Sequence, residues 1–330
     1  TLFRSHVIVD TSAPLPDGTG LFVYTPKDTA IAYYALTVLR NGTEDVKLTT
    51  GENTLVAPVH EEYWQWPHPV LVKAKWMGSS KAYYFYYWMD AEDWNPNIPP
   101  YGDFFVIGEY WKMAGTKNQP MTVVLHGSSL TGVDQMPSMV ALTNSLSLSL
   151  RDHPFSDPIS CFYGLSQTAW YGMRSNFGES CPKAGDTVKN YIQKKVISYI
   201  RSLADSRFFS VDTNRIYLSG QSMGGTGAFR MWAHQSDYFA AIKQTIGRPY
   251  TPYEGDPLFG DTALHIVAEN GIPIYDWVNA PLQASANPGK DFAPLLAGHG
   301  SHDWYNKMNQ YVYLYREFAK AKHGIWGEWV

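Results

Sequence analysis

The sequence predicts an α/β domain built on a mostly parallel sheet and preceded by a small all-β sandwich. Short β-type runs without helical periodicity fill the chain up to about Trp94. A proline-rich stretch, "DWNPNIPPYGD" at 93–103, then reads as a linker. Beyond it, apolar runs alternate with amphipathic helical patterns, the signature of a parallel sheet covered by helices.

The early runs are "GLFVYTP", "YYALTVLRNG", "EDVKLTT", "NTLVAPV", "VLVKAKW" and "AYYFYYWM". Asn41-Gly42 marks a hairpin turn, and the rhythm of the runs is similar to that of a fibronectin type III module. Residues 1–98 are therefore assigned to an accessory sandwich and residues 99–330 to the catalytic domain. In the second part, "DFFVIGEYW", "MTVVLHG", "RIYLSG" and "ALHIVA" read as strands. "DTVKNYIQKKVISYIRSLADS", "GGTGAFRMWAHQ" and "NKMNQYVYLYREFAKAK" read as helices.

Composition narrows the function classes. With 330 residues, 45% hydrophobic and 17% charged, the chain is a globular protein long enough for one large domain and a smaller one. A net charge of -4 and no run of Lys and Arg argue against a nucleic-acid partner. The longest apolar window, "MVALTNSLSLSL", is interrupted by Asn and Ser, so no membrane span is expected. The opening "TLFRSHVIVD" has neither an initiator Met nor a leader, as expected of a mature secreted protein or of a trimmed chain. A disulfide between the two cysteines, Cys161 and Cys181, is expected to close a Gly- and Ser-rich segment and favours an oxidising compartment.

The chemistry centres on "YLSGQSMGGTG", residues 217–227. A phosphate loop is excluded because Gly220 and Gly225 are followed by Thr226 and Gly227 with no Lys. A dinucleotide fingerprint starting at Gly225 lacks its third glycine, because Arg230 stands there. The remaining pattern is G-x-S-x-G, from Gly220, Ser222 and Gly224, set between a predicted strand and a predicted helix. A serine on so sharp a turn is a candidate nucleophile, and it needs an imidazole base and an orienting acid.

With the chain order Ser, acid, His, the base falls after residue 222. His302 in "LLAGHGSHDW" is the first choice and His299 the second, because His234 and His265 lie within predicted elements. For the acid, the loop after "ALHIVA" offers Asp276, which opens a predicted helix, with Glu269 and Asp291 as alternatives. Met223 and Ser128 are the expected oxyanion donors through their backbone N–H groups. His126 shapes the Ser128 loop or borders the substrate, while Trp170 and Tyr171 are candidates for stacking on it.

"VVLHG", "VKNYIQKKVISYI", "FSVDTNRIYLSGQSMGGTGAF", "DYFAAIKQTIG" and "GHGSHDW" together resemble the secreted serine esterases of the α/β-hydrolase fold related to polyhydroxybutyrate depolymerases, feruloyl esterases and esterase-D-like enzymes. The resemblance covers roughly residues 103–330 and implies a Ser222–Asp276–His302 relay working through an acyl-enzyme without metal or organic cofactor. The family's usual G-x-x-D after the acid-bearing strand is expected to be replaced by "AENGIPIYDW". A secreted monomer acting on a polymeric ester is implied, either a polyester such as polyhydroxyalkanoate or an aromatic polyester, or a cell-wall acyl ester. A serine peptidase of the same fold and a non-catalytic binding protein are the rival readings.

Overall fold

The computed structural model describes residues 7–16, 19–26, 28–61, 68–90, 94–95, 101–128, 144–152, 167–176, 181–251, 259–300, 302–303 and 306–329. Its centre is a nine-stranded sheet. In chain order the strands are β1 Val70–Met77, β2 Ser80–Met89, β3 Tyr101–Tyr110, β4 Gln119–Leu125, β5 Leu146–Ser149, β6 Val211–Gln221, β7 Ala241–Thr245, β8 Leu295–His299 and β9 Ile325–Trp329. Across the sheet they run β9-β8-β7-β6-β4-β5-β3-β2-β1. The six strands β9, β8, β7, β6, β4 and β5 run parallel to one another, and β3, antiparallel to β5, closes that side with β2 and β1 as an antiparallel meander.

The expected α/β architecture is therefore present, but the boundary at residue 98 does not separate two structures. Strands β1 and β2, assigned from sequence to the sandwich, pair with each other and with β3 as part of the central sheet. Alternating aromatic residues look alike in a sandwich strand and in an antiparallel sheet margin. Phe85 and Tyr87 turn inward against Phe105 and Tyr199, and Tyr84 and Tyr86 turn outward onto Phe104. The described residues between 28 and 61 form two two-stranded pieces, Ile31–Ala32 with Val59–His60 and Val38–Arg40 with Thr43–Asp45. Most of the expected 93–103 linker lies outside the described residues.

Five helices accompany the sheet among the described residues: α1 Tyr191–Ala204, α2 Met223–Gln235, α3 Ile274–Trp277, α4 Ala280–Ala286 and α5 Met308–Ala321. The buried face of α1 carries Ile192, Val196, Tyr199, Ile200 and Leu203, spaced three and four apart as an amphipathic helix requires. Lys195 lies on that face too, fully buried, and donates to Asp103 Oδ2 at 2.7 Å and to the carbonyls of Arg151 and Asp152 at 2.9 Å each. Tyr199 and the Phe104 N–H complete the shell of Asp103. Burial alone would raise the Asp103 carboxyl, but Lys195, Arg151 and these hydrogen bonds outweigh it and hold it below the usual carboxylate range.

"ALHIVA" is not a strand of the central sheet. Asp261 caps a short 3-10 turn at Thr262–Leu264, His265 takes a left-handed conformation, and only Val267–Ala268 is extended. Those two residues belong to a separate three-stranded sheet with Met173–Arg174 and Thr187–Lys189. The next strand of the central sheet after β7 is β8, from the run "DFAPLLAG". Cys181 is disulfide-bonded, while Cys161 lies outside the described residues.

Lys195→Met leaves the Asp103 carboxylate buried without its partner and is expected to cost about 3–5 kcal/mol of stability, read from urea unfolding at neutral pH.

Candidate active site

Parallel strands in register deliver their C-terminal ends to one edge. Leu125 pairs with Gly220, Gln221 with Thr245, Thr245 with Gly298 and His299 with Trp329. Ser222, Ile246, and the loops starting at His126 and Gly300 emerge together at that edge, where open α/β sheets bind ligands.

Ser222 is the residue between β6 and α2, with φ +56° and ψ -118°. This conformation costs a non-glycine residue about 1–3 kcal/mol and persists only where its surroundings impose it. Two glycines impose it here. A Cβ on Gly220 would lie 2.0 Å from the Gly224 carbonyl oxygen, and one on Gly224 would lie 2.0 Å from that of Leu125. Ser222 N–H donates to the Thr245 carbonyl at 2.9 Å, and its own carbonyl accepts from Thr226 at 3.0 Å to start the helix. The side chain is exposed, and Met223 provides a first-turn N–H without an intrahelical acceptor.

The loop after β4 lies against this turn. A Cβ on Gly127 would sit 3.5 Å from the Ser222 Cβ, and Ser128 follows on an exposed turn. His126 fixes the loop from within. Its Nδ1 donates to the Gly127 carbonyl at 2.8 Å, and its Nε2 accepts from the Asp152 N–H at 3.1 Å. Burial, opposed by the Gly127 hydrogen bond, lowers its pKa, so the ring is neutral with both nitrogens engaged. His126 is thus a loop anchor and not a substrate contact.

Trp170 and Tyr171 are corrected in the same sense. Both are buried, and neither has a face left for a ligand. Trp170 donates from Nε1 to the His126 carbonyl and packs where Gly227 lacks a side chain. Tyr171 packs against Phe259 and His234.

Asp276 lies on α3, where its neighbours Ile274, Tyr275 and Val278 are buried in a cluster that Met223 also packs against. Its neighbour Trp277 stacks on His234 with ring centroids 4.3 Å apart, and both line a cleft with Asp276. His234 is one residue short of the far end of α2, a 13-residue helix about 20 Å long that starts beside Ser222. Glu269 is engaged with the Asn190 N–H and Lys194 at the start of α1, and Asp291 is exposed beyond α4.

Among the described residues, Asp303 is a carboxylate that the fold brings to the Ser222 edge, next to His302 on the turn after β8. This turn is two strands from the nucleophile, about 10 Å at the usual strand spacing. Asp303 N–H closes the turn onto the Gly300 carbonyl, and His302 is exposed on it. The signal was present in the sequence as Gly300-x-x-Asp303, one strand later than the loop searched. Among the other described histidines of this edge, His126 has both nitrogens engaged, and His299 points into the core, stacked on Tyr311. His323, in the last helical turn region, packs among Trp232, Phe292 and Phe318 far from the edge.

Among solved structures, the chain is similar to an S-formylglutathione hydrolase from Agrobacterium tumefaciens, with TM-score 0.57 and 13% identity over 78% of this chain and 90% of that one. It is also similar to a ferulic acid esterase, with TM-score 0.51 and 14% identity over 76% and 91% of the two chains. At such identities the likeness is one of architecture, and the architecture is the α/β-hydrolase fold. No family model and no curated protein matches the sequence.

His234 gives this region a pH signature independent of catalysis. Burial lowers its pKa from 6.5 to about 3, against the opposing hydrogen bond to Trp277. A histidine depressed in the folded state contributes stability that is complete above about pH 6.5 and is lost as pH falls toward about 3. Urea midpoints measured across that window are expected to fall less steeply for His234→Phe than for the unaltered protein.

Proposed function

We propose that the protein is a serine carboxylic-ester hydrolase that works through an acyl-enzyme on Ser222. The observation that carries this reading is the strained Ser222 backbone at a strand-to-helix junction, aimed at an edge that also presents His302 and Asp303.

The Ser222 Oγ attacks the ester carbonyl carbon while its proton passes to the His302 imidazole. The oxyanion formed accepts hydrogen bonds from the Met223 and Ser128 N–H groups, with the α2 N-terminus adding its dipole. Collapse breaks the bond to the leaving alcohol, which takes the proton back from His302. Water then adds to the acyl group with His302 as base, and the carboxylic acid departs. Asp303 replaces Asp276 as the carboxylate of the relay, beside the imidazole whose charge it offsets.

Ester chemistry is supported by the names of the two similar structures, an S-formylglutathione hydrolase and a ferulic acid esterase. The disulfide at Cys181 supports an oxidising, secretory location. A polymeric ester, polyester or cell-wall acyl ester, remains the proposed substrate class.

Ser222→Ala is expected to lower kcat on short p-nitrophenyl esters by about 10³-fold or more. A fluorophosphonate probe should label the unaltered chain at Ser222 and leave the variant unlabelled. Retained activity in Ser222→Ala would move the site elsewhere, and faster turnover of peptide anilides than of esters would make the protein a peptidase. His302→Ala is expected to match the serine variant within about tenfold; full activity would assign the base to another imidazole.

A further inference from the structure

Asn306 joins the two halves of this edge. The residue is buried, and its side-chain NH2 donates to Asp303 Oδ2 at 2.9 Å and to the Ile246 carbonyl at 2.8 Å. Its backbone N–H donates to Asp303 Oδ1 at 3.0 Å. Both side-chain contacts are acceptors, so the NH2 and not the oxygen must face them. The amide oxygen is left buried without a hydrogen-bond partner, an arrangement that carries a desolvation penalty of its own. The two NH2 contacts are made against that penalty.

What it holds on one side is strained. Ile246 has φ +48°, a genuine outlier for a β-branched residue. Its N–H donates to the Gly298 carbonyl at 2.8 Å, and the carbonyl of the residue before it, Thr245, accepts the Ser222 N–H. A continuous set of hydrogen bonds therefore runs from the nucleophile through Thr245 and Ile246 to Asn306 and on to Asp303.

We propose that Asn306 is a positioning residue that fixes the Asp303 carboxylate in register with Ser222 by clamping it to the strained Ile246 carbonyl. This inference rests on the hydrolase reading above. The aspartyl turn, closed by the Asp303 N–H on the Gly300 carbonyl, is joined through this clamp to the end of β7.

The test uses the full chain, p-nitrophenyl acetate as substrate and fluorophosphonate titration to count competent sites. Asn306→Ala is expected to lower kcat per labelled site about 10–100-fold with KM changed less than about threefold, the usual scale for a residue that orients a functional group. Asn306→Asp keeps the side-chain shape but sets a carboxyl oxygen against two acceptors, and should lose as much. A packing role alone would spare it. Asp303→Asn combined with Asn306→Ala should be no slower than Asp303→Asn alone, because both act through one carboxylate. Additive losses, or kcat within about twofold in Asn306→Ala, would overturn the proposal while labelled Ser222 leaves the hydrolase reading intact. Absence of label on the unaltered chain would overturn both.

Discussion

The contact of backbone on backbone around Ser222 is the constraint from which the rest of the site follows. Helix α2 sits directly on strands β4, β6 and β7 with no side chain between its first turn and their ends. A Cβ on Gly225 would come within 2.7 Å of the Thr245 oxygen, and one on Gly247 within 2.2 Å of the Gly225 carbonyl carbon. Only because that gap is closed does the chain reverse from strand to helix in one residue and force that residue into a positive φ. The same closeness brings the helix N-terminus up to the edge, so the Ser222 backbone geometry and the positive end of the helix dipole beside it have a single cause.

The opposite wall of the site depends on polar groups buried in the core. Asp103 holds Lys195, and Lys195 draws in the carbonyls of Arg151 and Asp152. The Asp152 carboxylate accepts from Thr168 and Trp170, while its own N–H donates to His126. Protonation of His126 would remove the acceptor that the Asp152 N–H uses, so burial of the imidazole in its neutral form and fixation of the Gly127–Ser128 loop are one event. An ion pair within the sheet–helix interface thereby orders a loop on the surface. Arg230 adds to this from α2, donating to the carbonyls of Thr168 and Ala169 beside two successive positive-φ residues, Ala169 and Trp170.

How much of this was legible in the sequence depended on how local each signal is. The Ser222 turn was legible because a G-x-S-x-G strand-to-helix junction is written in five residues and the two elements that flank them. The aromatic strand Ser80–Met89 was recognised as a strand but placed in the wrong structure, since period-two alternation reports a sheet face without saying which sheet. "ALHIVA" failed for a related reason. Five apolar residues around one histidine suit a buried strand, yet the Asp261 cap and the left-handed His265 leave only Val267 and Ala268 extended, in a side sheet. Trp170 and Tyr171 read as stacking residues because "SQTAWYGMRSNFGE" follows the strand-like "ISCFYG" and is expected to overhang the site. The missing side chain of Gly227, which makes room for the Trp170 ring, lies some sixty positions away in the chain.

The choice of acid shows how such a misplaced strand propagates. In a parallel sheet, which loop reaches the nucleophile is decided by strand order, and sequence distance has no say in it. With "ALHIVA" outside the central sheet, the loop that follows it and carries Asp276 does not leave the end of a central strand. Once β8 is recognised as the strand beside β7, Gly300 to Asp303 falls at the right edge without any change in the chemical requirement. In the proposed relay a connection from β7 to the turn after β8 is needed, because strand β7 lies between the strands that lead to Asp303 and Ser222. Backbone pairing carries that connection as far as Gly298, where the strand register ends. Beyond that point the Asn306 amide spans the gap to the Ile246 carbonyl, and the strain at Ile246 is the cost of presenting that carbonyl to it.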